Sequence, residues 1–320
     1  MLTRSSSRTT LTAIAAVGLL ALSACSSSDS NDNSDTAAAG GGDGTTLTFA
    51  SIPEENASGL AEKTKMVVAA LEKQLGVKVE TQQATSYAAV IEALRAGQVD
   101  IAALGPFSYA VAADSGVGIS LVGVPADSVD ESPSYQSYAI TKPDSGITSL
   151  SDMAGKTVCF VDPTSTSGYL FPSAGLLEAG INPETGVTPV FAGGHDASAL
   201  SVLNGTCDAG FAYDTMVDNK LPESGQLQPG ALNVIWKSED IPKSPTVVST
   251  KLPREMQDRI AEVFQKDINR PALVELGLCA TEEECALPED VAYGYIPVED
   301  STYDGIRQVC AITKSKSCVV

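Results

Sequence analysis

Short apolar runs recur along this chain, and each hands over to a segment of helical length. The runs 47–50, 77–81, 99–104 and 119–122 read as strands. Stretches 60–75, 87–96 and 105–113 between them read as helices. Met66, Val67, Ala70, Leu71 and Leu75 form one apolar stripe, and Gly76 and Gly97 stand where helices stop. A second series follows, with strands at 135–140, 157–161, 187–191, 207–212 and 232–236. Its helices fall at 150–154, 167–180 and 194–203, and another is capped by Tyr213-Asp214-Thr215. Residues 246–249 then return to the first series, and 253–269 makes a long amphipathic helix.

Strand–helix alternation predicts parallel α/β sheets covered by helices. A second series inserted in the first predicts two lobes joined by two crossings, near Ile140 and Thr246. Ligands of open α/β sheets bind beyond the carboxyl ends of strands. In a two-lobed chain those ends face each other across a cleft that closes by hinging.

The N-terminus reads as an export signal. Arg4 and Arg8 precede an apolar run over 11–22, which ends in Leu22-Ser23-Ala24-Cys25. The run is too short for a spanning helix. A cysteine directly after Leu-Ser-Ala resembles a bacterial lipobox, which implies cleavage before Cys25 and acylation of that residue. The expected organisation is a signal peptide over 1–24 and a lipid-anchored flexible linker over 25–45. Lobe 1 is then formed by 46–138 plus 247–320, and lobe 2 by 139–246. The linker is Ser, Asp, Asn, Ala and Gly, with almost nothing to bury. The expected location is the extracytoplasmic face of the cell membrane, held there by the lipid anchor.

The chain carries 20 basic and 40 acidic side chains, a formal charge of −20. So acidic a body argues against nucleic acid and anionic lipid headgroups as partners. It also opposes an anionic ligand, so an anion site would have to hold its ligand with local dipoles and hydrogen bonds.

Besides Cys25 there are six cysteines: Cys159, Cys207, Cys279, Cys285, Cys310 and Cys318. An even number in an exported chain points to disulfides. Six cysteines allow 15 pairings. Proximity favours Cys279–Cys285 and Cys310–Cys318, which leaves Cys159 and Cys207 on or beside neighbouring strands. A zinc site is the alternative, although no paired CxxC is present.

The stretch Asp162-Pro163-Thr164-Ser165-Thr166-Ser167-Gly168 concentrates the chemistry. It follows a strand and opens a helix. A helix start has unpaired N–H groups and a partial positive charge, which suit an anion. Ordinary capping explains one hydroxyl here, not four in a row. His195, the only histidine, opens another helix, where the dipole disfavours the imidazolium and leaves a neutral N–H donor. Asp214 is either a plain cap or an acceptor for a protonated ligand oxygen. Tyr87 begins a helix and Tyr135 lies beside the first crossing. Both offer hydroxyl donors.

Several runs resemble the phosphonate-binding, PhnD-like family: 47–49, 87–91, 99–102, 162–172, Gly194-His195, 234–238 and Ile241-Pro242. The likeness extends from about residue 47 to 269. The resemblance implies the type II periplasmic-binding-protein (venus-flytrap) fold and an extracytoplasmic binding protein of an ABC importer. The ligand implied is phosphate, phosphite or an alkylphosphonate, and the partner is a membrane permease. Carried over residue by residue, Tyr87, Tyr135, Ser165, Thr166, Ser167 and His195 become the oxyanion contacts, with Asp214 beside them. An acidic position used by members that bind aminoalkylphosphonates falls on Ser244, and an aromatic wall position on Ala103. Both departures point away from a large aminated ligand.

The expectation is therefore a monomeric binder, not an enzyme, with no catalytic residue, metal or cofactor. Two alternatives stand. One is the same fold serving a sulfonate or a pyrimidine precursor. The other is an exported phosphate-ester hydrolase, which would need a nucleophile with a base, or a metal cluster.

Overall fold

The structure, a computed structural model, describes residues 45–53, 57–130 and 132–318. The expected signal peptide, Cys25 and the tether up to residue 44 lie outside the described residues. Among the described residues no helix is long and apolar enough to cross a membrane.

Two sheets organise the chain. The first has six strands in the order β13-β4-β12-β3-β1-β2. These are β1 (Thr46–Ser51), β2 (Lys78–Gln83), β3 (Ile101–Ala103), β4 (Ile119–Ala126), β12 (Thr246–Ser249) and β13 (Gly294–Ile296). β1 pairs in parallel with β2 and β3, while β12 and β13 run antiparallel to their neighbours.

The second sheet has five strands in the order β10-β6-β9-β7-β8. They are β6 (Ser137–Thr141), β7 (Thr157–Phe160), β8 (Thr188–Phe191), β9 (Ala209–Tyr213) and β10 (Asn233–Lys237). β7 is parallel to β8 and β9, and β6 is antiparallel to β9 and β10. The sheets are thus mixed rather than parallel throughout. Strands at the two connections, β6 and β12, supply most of the antiparallel pairs, and β13 from the C-terminal segment adds another. β5 (Ser134–Tyr135) and β11 (Ile241–Pro242) form a separate two-stranded ladder where both connections pass. The expected single strand over 135–140 is therefore split at Gln136.

Among the described residues nine α-helices complete the set: α1 (Ala57–Leu75), α2 (Tyr87–Ala96), α3 (Pro106–Asp114), α4 (Phe171–Glu178), α5 (His195–Leu203), α6 (Leu221–Glu223), α7 (Arg254–Glu262), α8 (Arg270–Glu275) and α9 (Asp304–Thr313). Wider π-helical turns lead into α4 at Thr166–Leu170 and into α6 at Met216–Lys220. A third, Val263–Asp267, extends α7 and accounts for the single long helix expected there.

Side chains on successive strand residues point to opposite faces, and in both sheets both sets are apolar. Leu47, Phe49, Ile101 and Val248 pack with Val67 and Leu71 of α1. Ala50, Ala102 and Val247 pack on the other side with Ile91 and Leu94 of α2 and Phe107 of α3. In the second sheet Val158, Phe160 and Phe211 meet Leu176 of α4, while Cys159, Ile140 and Ala212 meet Val202 of α5. Phe160 and Phe211 stack at 5.4 Å between centroids.

All three expected disulfides form. Cys159–Cys207 joins β7 to the start of β9 with Cα atoms 5.8 Å apart; Cys279–Cys285 and Cys310–Cys318 close short loops.

Candidate ligand-binding site

A cavity of about 160 Å³ opens where loops of the two sheets meet. Pockets for drug-sized ligands run to roughly 300–1,000 Å³, so this one suits something small. Tyr87, Tyr135, Ser165, Thr166, Ser167, His195 and Asp214, all seven residues expected from sequence, line it.

Four helix starts meet there. Tyr87 is the first residue of α2, Gly105 is the N-cap of α3, Thr166 opens the turn that runs into α4, and His195 opens α5. Each start presents N–H dipoles to the same space, so their fields add in favour of negative charge.

The hydroxyl turn is built by its own caps. Asp162 Oδ1 accepts from the Thr164 N–H at 2.8 Å and from its hydroxyl at 2.7 Å. Ser165 Oγ accepts from Gly168 N at 3.1 Å. Gly168 sits against Val161, where an added Cβ would come within 2.4 Å of the Val161 side chain, so only glycine permits this tight turn. Gly105 brings no side chain to cap α3, and Thr166 Oγ1 does it from the other sheet, accepting from Phe107 N at 2.8 Å. Ser167 is buried and its carbonyl accepts from Ser137 Oγ at 2.6 Å. The capping and anion-binding readings are therefore compatible. A hydroxyl oxygen that accepts a backbone N–H still has its own proton to donate.

His195 is 3 % exposed. Its Nδ1 accepts from Tyr213 N at 3.2 Å. That bond leaves the proton of the neutral ring on Nε2. Nε2 lies 3.4 Å from the Tyr87 hydroxyl and 3.5 Å from Ser165 Oγ. Burial first, and the charge of Lys220 second, push the imidazole pKa down to about 3. The ring is a neutral donor near pH 7, as expected; desolvation and a nearby ammonium, rather than the helix dipole alone, make it so.

Asp214 accepts from Gln136 N at 2.9 Å and from Thr215 N at 2.8 Å. Burial nevertheless raises its pKa above the usual carboxylate range. It is an acceptor with a heightened affinity for a proton. Tyr135 packs edge-on against Tyr213, with centroids 6.3 Å apart.

Sequence reasoning missed four charged lining residues, Asp127, Lys220, Lys243 and Glu289. Lys220 follows Asp214 in the π-helical turn and donates to the Tyr213 hydroxyl at 2.7 Å. Lys243 sits in the second connection and pairs with Glu289 at 3.5 Å. The expectation that dipoles and hydrogen bonds alone face the ligand is thus corrected: two ammonium groups reach the cavity. The Lys243-Ser244 pair directly after Ile241-Pro242 was a usable signal for one of them, because ligands sit at crossings between lobes. Glu289 carried no such signal. Ser244 lines the cavity and Ala103 does not. Among the described residues no three His, Cys, Asp or Glu side chains gather as metal ligands.

Residues 49–303 match the family described as the periplasmic substrate-binding protein of a phosphonate ABC transporter. The chain is 44 % identical over 281 residues to the phosphate-import protein PhnD of Mycolicibacterium smegmatis, covering 85 % of this chain and 87 % of that one. It is 33 % identical over 222 residues to the phosphonates-binding periplasmic protein of Escherichia coli, covering 68 % and 65 %. The fold superposes on PhnD1 of Prochlorococcus marinus, solved in complex with methylphosphonate, with a TM-score of 0.70 at 18 % identity over 84 % of this chain and 98 % of that one. A binding component of a Pseudomonas aeruginosa phosphonate transporter gives the same TM-score at 24 % identity, covering 85 % and 87 %. The periplasmic-binding-protein fold that the resemblance implied is thereby established, and the chain belongs to the phosphonate-transporter family of extracytoplasmic substrate-binding proteins of ABC importers.

Proposed function

We propose that the cavity binds one small phosphorus oxyanion, namely phosphate, phosphite or a short alkylphosphonate, and hands it to a membrane permease. The carrying observation is the convergence of four helix starts on a cavity holding a neutral His195 donor. Tyr87, Ser165, Thr166 and His195 donate, Tyr135 and Ser167 complete the wall, and Asp214 accepts from a protonated ligand oxygen. Neutral preorganised donors replace most of the ligand's water, and Lys220 and Lys243 add positive charge on the cavity wall. The names of the Mycolicibacterium and Prochlorococcus relatives support this ligand class.

The same geometry favours binding over chemistry. A general base for Ser165 would need a free lone pair on Nε2, but Nε2 carries the proton because Nδ1 is already accepting. On this reading the chain binds its ligand without transforming it.

The two lobes are 46–136 plus 247–320 and 137–246. The whole of β6 lies in the second sheet, which supports placing the first crossing at Gln136. The protein acts as a monomer tethered through acylated Cys25, and a Cys25→Ala variant is expected to leave the membrane fraction for the medium.

Calorimetry with phosphate, phosphite, methylphosphonate, 2-aminoethylphosphonate and sulfate tests the ligand class. Saturable one-to-one binding of phosphorus oxyanions supports it. Preference for sulfate, or no binding of any phosphorus oxyanion, would refute it.

A further inference from the structure

The irregular segment after Cys279 delivers a carboxylate to the cavity, that of Glu289. Glu289 has φ 59° and ψ 12°, a left-handed conformation that residues other than Gly, Asn and Asp seldom adopt. Neighbouring anchors hold it there. Cys285, Leu287 and Val291 are each at most 1 % exposed in the core beneath the first sheet, and Cys285 is bonded to Cys279. The Val291 carbonyl accepts from Arg270 at 3.0 Å, and Ala292 N donates to Asp127 at 2.7 Å. A strained residue fixed between buried anchors and facing a ligand cavity points to a role in that cavity.

Its partner is pinned equally well. The Lys243 backbone N–H donates to the Pro133 carbonyl at 3.0 Å, and its carbonyl accepts from the Tyr303 hydroxyl at 3.1 Å. The ammonium meets Glu289 at 3.5 Å, with side-chain exposures of 12 % and 23 %. The other charged residues on the cavity wall are Asp127, Asp214 and Lys220.

We propose that Lys243 and Glu289 form a charge-setting pair, in which Lys243 contacts the bound oxyanion and Glu289 limits how much negative charge the ligand can bring. With Glu289 ionised, the pair is neutral as a unit and favours a monoanion. Without it, the cavity gains one unit of positive charge beside Lys243 and shifts toward a dianion. The ligand charge is therefore selected by a residue outside the hydroxyl cluster. Burial of Glu289 raises its proton affinity while Lys243 opposes that rise, so it responds to the charge beside it.

This inference rests on the oxyanion reading, and the test separates the two. Wild-type protein, Glu289→Gln and Lys243→Gln are titrated with phosphate, methylphosphonate, sulfate and 2-aminoethylphosphonate at fixed pH. Sulfate serves as an obligate dianion. Glu289→Gln is expected to raise sulfate affinity relative to methylphosphonate by roughly ten-fold or more, the scale of one unit charge at several ångströms in a partly buried site. Lys243→Gln is expected to weaken every anion. An unchanged sulfate-to-methylphosphonate ratio in Glu289→Gln would overturn the pair's role. So would a selective loss of 2-aminoethylphosphonate, which would make Glu289 an ammonium receptor instead. Wild-type protein that binds none of the four would defeat the oxyanion reading itself. Melting curves of each variant establish that it is folded.

Discussion

The Tyr213 amide donates to His195 Nδ1 at 3.2 Å, and that bond decides which ring nitrogen faces the cavity. Tyr213 ends β9 and His195 begins α5, so strand and helix together fix a proton on Nε2. The site depends on that proton being present at neutral pH without a charge.

The first expectation concerns His195 and pH. Its folded pKa of about 3 lies below the unfolded value of about 6.5. Between these values the unfolded chain binds the proton and the folded chain does not, so this group's contribution to stability is present above about pH 6.5 and is lost as pH falls toward 3. His195→Asn is expected to flatten the stability profile over that window, measured as the difference in melting temperature from wild type. At pH 7 the same variant is expected to weaken oxyanion binding by about ten- to a hundred-fold, the scale of a lost hydrogen bond to a charged group.

Asp214 provides the second. Burial raises its pKa even though two backbone N–H groups hold its oxygens. Asp214→Asn replaces a carboxylate acceptor for a P–OH group by a weaker amide oxygen and removes the charge that repels a fully ionised ligand. Phosphate or phosphite affinity is expected to fall roughly ten-fold while sulfate affinity rises. Parallel titrations with the two anions check this, and equal changes in both would remove Asp214 from ligand discrimination.

Much of this site was legible in the sequence because helix starts announce themselves. Ser165 to Gly168, Gly194-His195 and Tyr87 all stand directly after strands, and chain order alone sends strand ends to one place. Thr166 illustrates what was not legible. Its hydroxyl caps α3 across the cleft, a long-range bond that follows from Gly105 having no side chain. Lys220 and Glu289 were hidden for a related reason. One reaches the cavity through a π-helical turn and the other through a left-handed residue in an irregular segment. Neither geometry has a periodic signature. The mixed sheet direction was likewise missed, since a short apolar run such as 246–249 states its burial but not its sense.

A third expectation follows from the cross-links. Cys159–Cys207 spans 48 residues, while the other two span 6 and 8. On the chain-entropy account the long loop contributes about 4 kcal/mol and each short one about 2 kcal/mol. Cys159→Ala with Cys207→Ala is expected to be the most destabilising pairwise removal by denaturant titration. It is also expected to weaken ligand binding, because β7 leads into the Ser165 turn and β9 into Tyr213 and Asp214. Equal losses from all three removals would contradict this ordering.

The hydroxyl turn remains the centre of the account. Ser165→Ala with Thr166→Ala deletes two donors and two caps, and each lost cap costs roughly 1 kcal/mol of stability. Calorimetric titration of this double variant with phosphate and methylphosphonate, beside wild type and with its melting curve recorded, is the most direct measurement. The expected result is a folded protein with no detectable binding of either anion. A folded double variant that binds both as tightly as wild type would contradict the assignment of the site.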